Sequence, residues 1–175
     1  MKIYYYQRPD GQPNFGDELN HWLWPQLLPQ GFDQDPDHIF VGTGTLLNAR
    51  LPERLQSAGK VTIFSTGAGY EQPLQDIPSH WHICCVRGPL SAQRLGLPED
   101  KAVADGGILV GRIFSTTRPK HHRVSFMPHV HHANYAQAHW QSVCALCNIT
   151  YIDPRWAVEK VLTHISQSQL LLAEA

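Results

Sequence analysis

The feature that most restricts the fold of this chain is a recurring unit of short apolar run, glycine-bearing polar turn and helical segment. Lys2 to Tyr6 is a β-prone opening run, and His21 to Leu28 continues a helix that either Asn14 or Asp17 starts, both being good N-caps. Ile39-Phe40-Val41 ends in Gly42-Thr43-Gly44-Thr45, and Lys60 to Ser65 ends in Thr66-Gly67-Ala68-Gly69. His82 to Val86 runs into Arg87-Gly88-Pro89 and a helix through Leu95, with Gly96 at its C-terminal cap. Ala102-Val103-Ala104 then reads as a strand leading to Asp105-Gly106-Gly107. Repetition of this kind predicts an α/β fold, a Rossmann-like parallel sheet with crossover helices.

Beyond Ile113 the texture changes. Length alone, 175 residues, favours one domain, yet residues 115–123 are polar and basic without apolar periodicity and read as a linker. Residues 1–114 are then an N-terminal Rossmann-like domain, and residues 124–175 the start of a second α/β domain. In that second part Val124 to Met127 and Ile149 to Ile152 are expected strands. Asn134 to Cys147 and Arg155 to Ile165 are expected helices, the latter just after Pro154. Leu170-Leu171-Leu172 is expected to be a buried strand, and parallel strands usually carry helices on both faces. The second domain is therefore expected to be incomplete at Ala175.

Composition excludes several classes. Fourteen basic and fifteen acidic residues give a formal charge of −1, so no general attraction to nucleic acid or to anionic membranes is written into the chain. Its eleven histidines make it more positive below about pH 6.5. Met1 to Arg8 lacks the charged and apolar regions of a signal peptide, and no apolar run approaches the roughly 20 residues that span a bilayer. A cytoplasmic protein is expected. Cys84-Cys85 lies in an apolar run, and Cys144-Ala-Leu-Cys147 supplies two of the four ligands of a structural zinc, so the cysteines are expected to be structural.

Chemistry should gather where glycines and polar groups meet at strand ends. Gly42-Thr43-Gly44 and Gly67-Ala68-Gly69 let backbone N–H groups approach an anion, with Thr45 beside the first loop, although neither loop has a dinucleotide fingerprint or a Walker lysine. Arg87 can grip a carboxylate or phosphate in two places, or it can pair with Asp105 or Asp17. Asp105 either enters the same crevice or caps the next turn. In Asn14-Phe15-Gly16-Asp17-Glu18 the glycine permits a tight turn, and the acids either favour the helix dipole or face a ligand crevice at the carboxyl end of a strand. His129 and His131 would share one face of an extended strand, with His132 beside them. No third ligand completes a metal site there, and a crevice-lining or structural role is expected for His129.

These residues together resemble bacterial polysaccharide pyruvyltransferases, particularly those of the succinoglycan exopolysaccharide type. The likeness runs through Asn14-Phe15-Gly16-Asp17-Glu18-Leu19-Asn20, Val41 to Asn48, Ser65-Thr66-Gly67-Ala68-Gly69-Tyr70, Val86-Arg87-Gly88-Pro89-Leu90-Ser91-Ala92, Leu95-Gly96-Leu97 and Ala104-Asp105. Phe126-Met127-Pro128-His129 and Tyr151-Ile152-Asp153-Pro154 extend it. The resemblance implies a GT-B-like two-domain architecture and transfer of a pyruvyl group from phosphoenolpyruvate to a sugar, forming a cyclic ketal. It implies phosphoenolpyruvate as donor substrate without a cofactor or metal. The acceptor would be a sugar of an exopolysaccharide repeat unit, lipid-linked in some cases, at the inner face of the membrane.

Carried onto this chain, Asp17 is a candidate base or acceptor-orienting carboxylate, Asp105 a supporting carboxylate and Arg87 the donor clamp. Asn14, Gly16, Gly44, Thr45, Gly67, Gly69 and His129 would line the substrate site. Two departures stand out: Gly106-Gly107 replaces a common proline and alanine, and the chain ends before a Leu-His-Gly type segment. Alternatives are a sugar-nucleotide-dependent GT-B-like glycosyltransferase and a non-catalytic truncated remnant that forms a homodimer through its C-terminal unit.

Overall fold

The computed structural model describes residues 1–115 and 117–174. Thr116, inside the expected linker, and Ala175, in the expected second domain, lie outside the described residues. The chain divides into two compact units, one made of Met1–Gln7 and Leu19–Ile113, the other of Arg8–Glu18 and Phe114–Ala175.

The first unit holds a four-stranded parallel sheet of β1 (Lys2–Tyr4), β2 (His38–Val41), β3 (Lys60–Phe64) and β4 (Trp81–Cys85), in that spatial order. Period-two alternation sorts its side chains. Ile39, Val61 and Trp81 lie in register, as do Val41, Ile63 and Ile83. This face packs against Leu51, Leu55 and Ala92, supplied by α2 (Leu51–Arg54), its C-cap and α3 (Pro89–Arg94). Val41, Val61 and Ile63 are fully buried, each worth about 2 kcal/mol of apolar transfer. Phe40 and Phe64 point the other way and meet Trp24 of helix α1 (Phe15–Leu27) edge-on, with centroids 5.3 and 5.5 Å away. The sheet is thus covered on both faces, as a Rossmann-like fold requires.

Two details depart from the sequence reading. No helix joins β3 to β4: the connection carries Pro73 and Pro78, and it is tied down by an antiparallel bridge between Asn48 and Pro73. Ala102-Val103-Ala104 is not a strand and makes a single parallel bridge, Val86 to Ala102. Among the described residues the strand order runs without reversal.

The second unit has a three-stranded parallel sheet in the order β6-β5-β7, from β5 (His122–Met127), β6 (Thr150–Tyr151) and β7 (Ser168–Ala173). Helices α4 (Val130–Leu146) and α5 (Val158–Ser166) connect them. Helix α4 starts four residues earlier than expected because His129 caps it, and it is interrupted by non-helical dihedrals at Ala136. Helix α5 starts later than expected because Asp153 first closes an Asx turn onto the Arg155 N–H. The run 170–172 occupies an edge strand, so Leu170 and Leu172 are 53% and 46% exposed instead of buried.

A buried ion pair organises this unit. Arg155 grips Asp153 through Nε at 2.8 Å and Nη2 at 2.6 Å, while its Nη1 donates to Asn134. Burial acts to raise the Asp153 carboxyl, but the hydrogen bonds from Arg155 outweigh it and hold the group below the usual carboxylate range. Stability from such a depressed group is present above the ordinary carboxylate pKa and is lost as pH falls through the folded value. Asp153→Ala should therefore destabilise the protein by about 3 kcal/mol at pH 7, since it strands a guanidinium. In urea melts the gap from wild type should close below about pH 4.

Candidate functional site

The carboxyl ends of β2, β3 and β4 build one polar cluster in the first unit. The Gly44 carbonyl accepts from the Gly67 N–H at 2.9 Å and from Thr66 Oγ1 at 3.2 Å, and Leu47 N–H donates to the Gly67 carbonyl at 3.1 Å. The Arg87 N–H donates to the Thr66 carbonyl at 3.1 Å. These bonds lace the two glycine loops to each other and to the strand that carries Arg87. Gly44 has φ of +120°, a conformation that L side chains rarely adopt.

Arg87 is the centre of the cluster. Its Nη1 donates to Thr45 Oγ1 at 2.7 Å and more distantly to the Gly44 carbonyl at 3.5 Å. The guanidinium lies flat on Gly67: a Cβ there would stand 2.6 Å from Cζ, Nε and Nη2 alike. Within the first unit no carboxylate among the described residues pairs with Arg87, Asp105 included, and no hydrogen bond engages Nε or Nη2. One edge of the guanidinium is anchored, and the other, a bidentate donor edge, makes no hydrogen bond among the described residues.

A polar residue in the core sets the loop. Asn20, 1% exposed, accepts from the Thr43 N–H and from Trp24 Nε1, both at 2.9 Å, and its Nδ2 donates to the Thr43 carbonyl at 3.2 Å. Sequence reasoning did not single out Asn20 as functional, although its position with Leu23 and Trp24 on one helical face marks a polar group among core residues. Ser65 was also missed. It directly follows β3 with φ of +68°, and its hydroxyl and that of Thr43 are buried with no hydrogen-bond partner among the described residues.

The remaining candidates are placed as follows. Gly69 sits in the cluster, where an added Cβ would stand 3.2 Å from the Thr45 methyl. Asp105 is exposed and caps a 3-10 helix, Gly106–Arg112, by accepting from the Gly107 N–H at 2.8 Å. Gly106 is there for steric reasons, because a Cβ would overlap Ser65 Oγ and the Trp24 ring.

Asn14, Gly16, Asp17 and His129 belong to the second unit. Helix α1 begins at Phe15, so Asn14 precedes it, and the Phe15 N–H donates to the Pro154 carbonyl at 2.7 Å. Gly16 lies within the helix, has no positive φ and makes no tight turn, so its expected conformational role is not needed. Asn14 Nδ2 donates to Asp17 Oδ2 at 2.8 Å. Burial nevertheless raises the Asp17 carboxyl above the ordinary range, with Glu18 adding to the shift and Asn14 opposing it.

His129 does not alternate with His131 on a strand: it is the N-cap of α4, and its Nδ1 accepts from the His131 N–H at 3.3 Å. Its own N–H donates to Glu174, and burial and His131 lower its pKa. Among the described residues no three His, Cys, Asp or Glu side chains converge to hold a metal ion, and all four cysteines are free thiols.

Two outcomes follow from this geometry. Gly67→Ala should push the Arg87 guanidinium off its seat at little cost in stability, since the clashing atoms end a flexible side chain; the thermal midpoint should stay near wild type while anion binding falls about tenfold. Asp17→Asn should melt no lower than wild type at pH 7, because it removes a carboxylate that folding disfavours. That difference should shrink as pH drops through the raised pKa, a trend read from melts between pH 7 and 4.

No family model matches the chain, and no solved structure matches it. The chain is similar to the succinoglycan biosynthesis protein ExoV of Rhizobium meliloti (strain 1021), with 36% identity over 178 residues that take in 100% of this chain and 54% of that protein. The chain thus spans about half the length of the curated relative it matches.

Proposed function

We propose that this chain takes part in exopolysaccharide biosynthesis as part of a pyruvyltransferase, with its first unit holding the donor phosphoenolpyruvate. Similarity to a succinoglycan biosynthesis protein supports the pathway, and a sugar acceptor with it. The observation that carries the finer reading is the open Nε/Nη2 fork of Arg87, an uncompensated cation seated on Gly67 between two glycine loops. Phosphoenolpyruvate offers two anionic groups, a carboxylate and a phosphate, and a planar guanidinium matches either one in a bidentate way.

The chemistry asked of the site is definite. A general acid protonates the methylene carbon of the enol phosphate, which leaves an oxocarbenium-like centre at the adjacent carbon. A sugar hydroxyl attacks that centre and gives up its proton. A second hydroxyl then displaces inorganic phosphate and closes the ketal. A cation held against the donor stabilises the charge that builds on the departing phosphate. The half-buried Asp17, whose carboxyl is pushed above its ordinary value by burial, is assigned the acid–base role.

Calorimetric titration of the 175-residue chain with phosphoenolpyruvate tests the reading. Binding is expected, about 100-fold weaker in Arg87→Ala and only partly recovered in Arg87→Lys, which keeps the charge and loses the fork. A uridine nucleotide is expected not to compete. Equal binding by wild type and Arg87→Ala would remove the clamp, and preference for the nucleotide would favour the glycosyltransferase alternative.

A further inference from the structure

The net charge of −1 conceals a strong segregation. From Gly106 to Ile152 the sequence contains no aspartate or glutamate but carries Arg112, Arg118, Lys120, Arg123 and six histidines. The remainder of the chain holds ten basic against fifteen acidic residues, an excess of five negative charges. Composition averaged over the whole chain therefore hides a one-signed region.

In the second unit part of this charge is gathered onto one surface by contacts between β5 and α5. Lys120, just before β5, reaches the last turn of α5 and donates from Nζ to the Ser166 carbonyl at 2.7 Å, where the helix dipole favours a cation. His122 at the start of β5 stacks on His164 of α5, with centroids 5.8 Å apart and planes within 5°. His164 also meets Trp156 at 5.1 Å, and Lys160 Nζ lies 3.8 Å over the same indole. Arg118, two residues before Lys120, is exposed with its guanidinium 5.0 Å over the Phe114 ring, and Lys120 and Lys160 are exposed as well.

The acids nearby offer limited compensation. Asp153 bonds Arg155 and acts on Lys160 only through a weaker charge–charge interaction, and Glu174 is engaged by His129 and His132. Glu159 is next to Lys160 on α5 and has interactions of its own.

We propose that this surface, with Arg118, Lys120 and Lys160 as its fixed cations and Trp156 at its base, docks the protein on anionic phospholipid headgroups. The cations come from the segment just before β5 and from α5, and their common sign complements an anionic surface. An amphipathic indole under an ammonium suits the headgroup layer of such a surface. Attachment by these cations is peripheral and electrostatic, and among the described residues no helix is long and apolar enough to cross a membrane. Each cation brought to an anionic surface strengthens attachment about fivefold.

The test is co-sedimentation of the 175-residue chain with vesicles of phosphatidylcholine alone and of phosphatidylcholine with phosphatidylglycerol. Binding is expected only to the anionic vesicles at low salt, lost at 0.5 M salt, and about 25-fold weaker in Arg118→Gln/Lys160→Gln, whose circular dichroism should match wild type. The proposal is overturned by absence of binding to anionic vesicles at low salt, or by equal binding of the variant. It is also overturned if single-stranded DNA displaces the vesicles at equimolar charge, which would assign the surface to soluble polyanions. None of these readings depends on Arg87 or on phosphoenolpyruvate.

Discussion

The first unit depends on one buried amide. Asn20 satisfies both main-chain groups of Thr43 and the indole N–H of Trp24, so a helix, a strand end and an aromatic core are fixed by a single side chain. The arrangement works only because Gly42 lacks a Cβ, which would overlap both Trp24 Nε1 and Asn20 Oδ1. A buried amide with unmet hydrogen bonds costs roughly 1–3 kcal/mol, so the fully bonded position is strongly preferred over a slipped one. Everything downstream inherits that register: Thr43 sets Gly44, the Gly44 carbonyl gathers Gly67 and Thr66, and Thr45 holds Arg87.

What this lattice achieves is preorganisation of a cation. Arginine on a surface samples many rotamers and loses that freedom on binding. Here the loss is met during folding, since Gly67 supplies a flat seat and Thr45 a fixed acceptor for one edge. The result is a guanidinium with a defined plane and an unspent bidentate edge. An anion that docks there meets a donor pair already oriented, which is the condition for electrostatic stabilisation of developing charge.

Much of the fold was legible because it rests on period and punctuation. The runs around Ile39, Lys60 and His82 are short and largely apolar and stop at glycine or Arg-Gly-Pro, and each became a parallel strand. What failed was local competition that a single sequence does not display. Ala102 to Ala104 has strand-like composition but finds one bridge, because Asp105 immediately turns the backbone into a 3-10 helix. The histidines after Pro128 looked extended because histidine is a weak helix former, yet the side chain of His129 caps the helix and carries the chain into it. The leucines near the end of β7 looked buried because hydrophobicity does not say whether a strand is central or at an edge.

The candidate site was legible as a set of residue types and not as a set of roles, and hydrogen-bond accounting explains the difference. Asp, Asn and His serve equally well as caps and as catalytic groups, so their presence at strand ends is ambiguous until their bonds are counted. Asp105 gives an oxygen to the Gly107 N–H, His129 gives its Nδ1 to the His131 N–H, and Asn14 holds Asp17. Each has a local structural employment. Arg87 differs in kind, because a guanidinium has five donors and the described residues engage only one edge of it. Within the first unit it is that surplus of donor capacity, held rigidly by Thr45 and Gly67, that separates a binding group from a capping one.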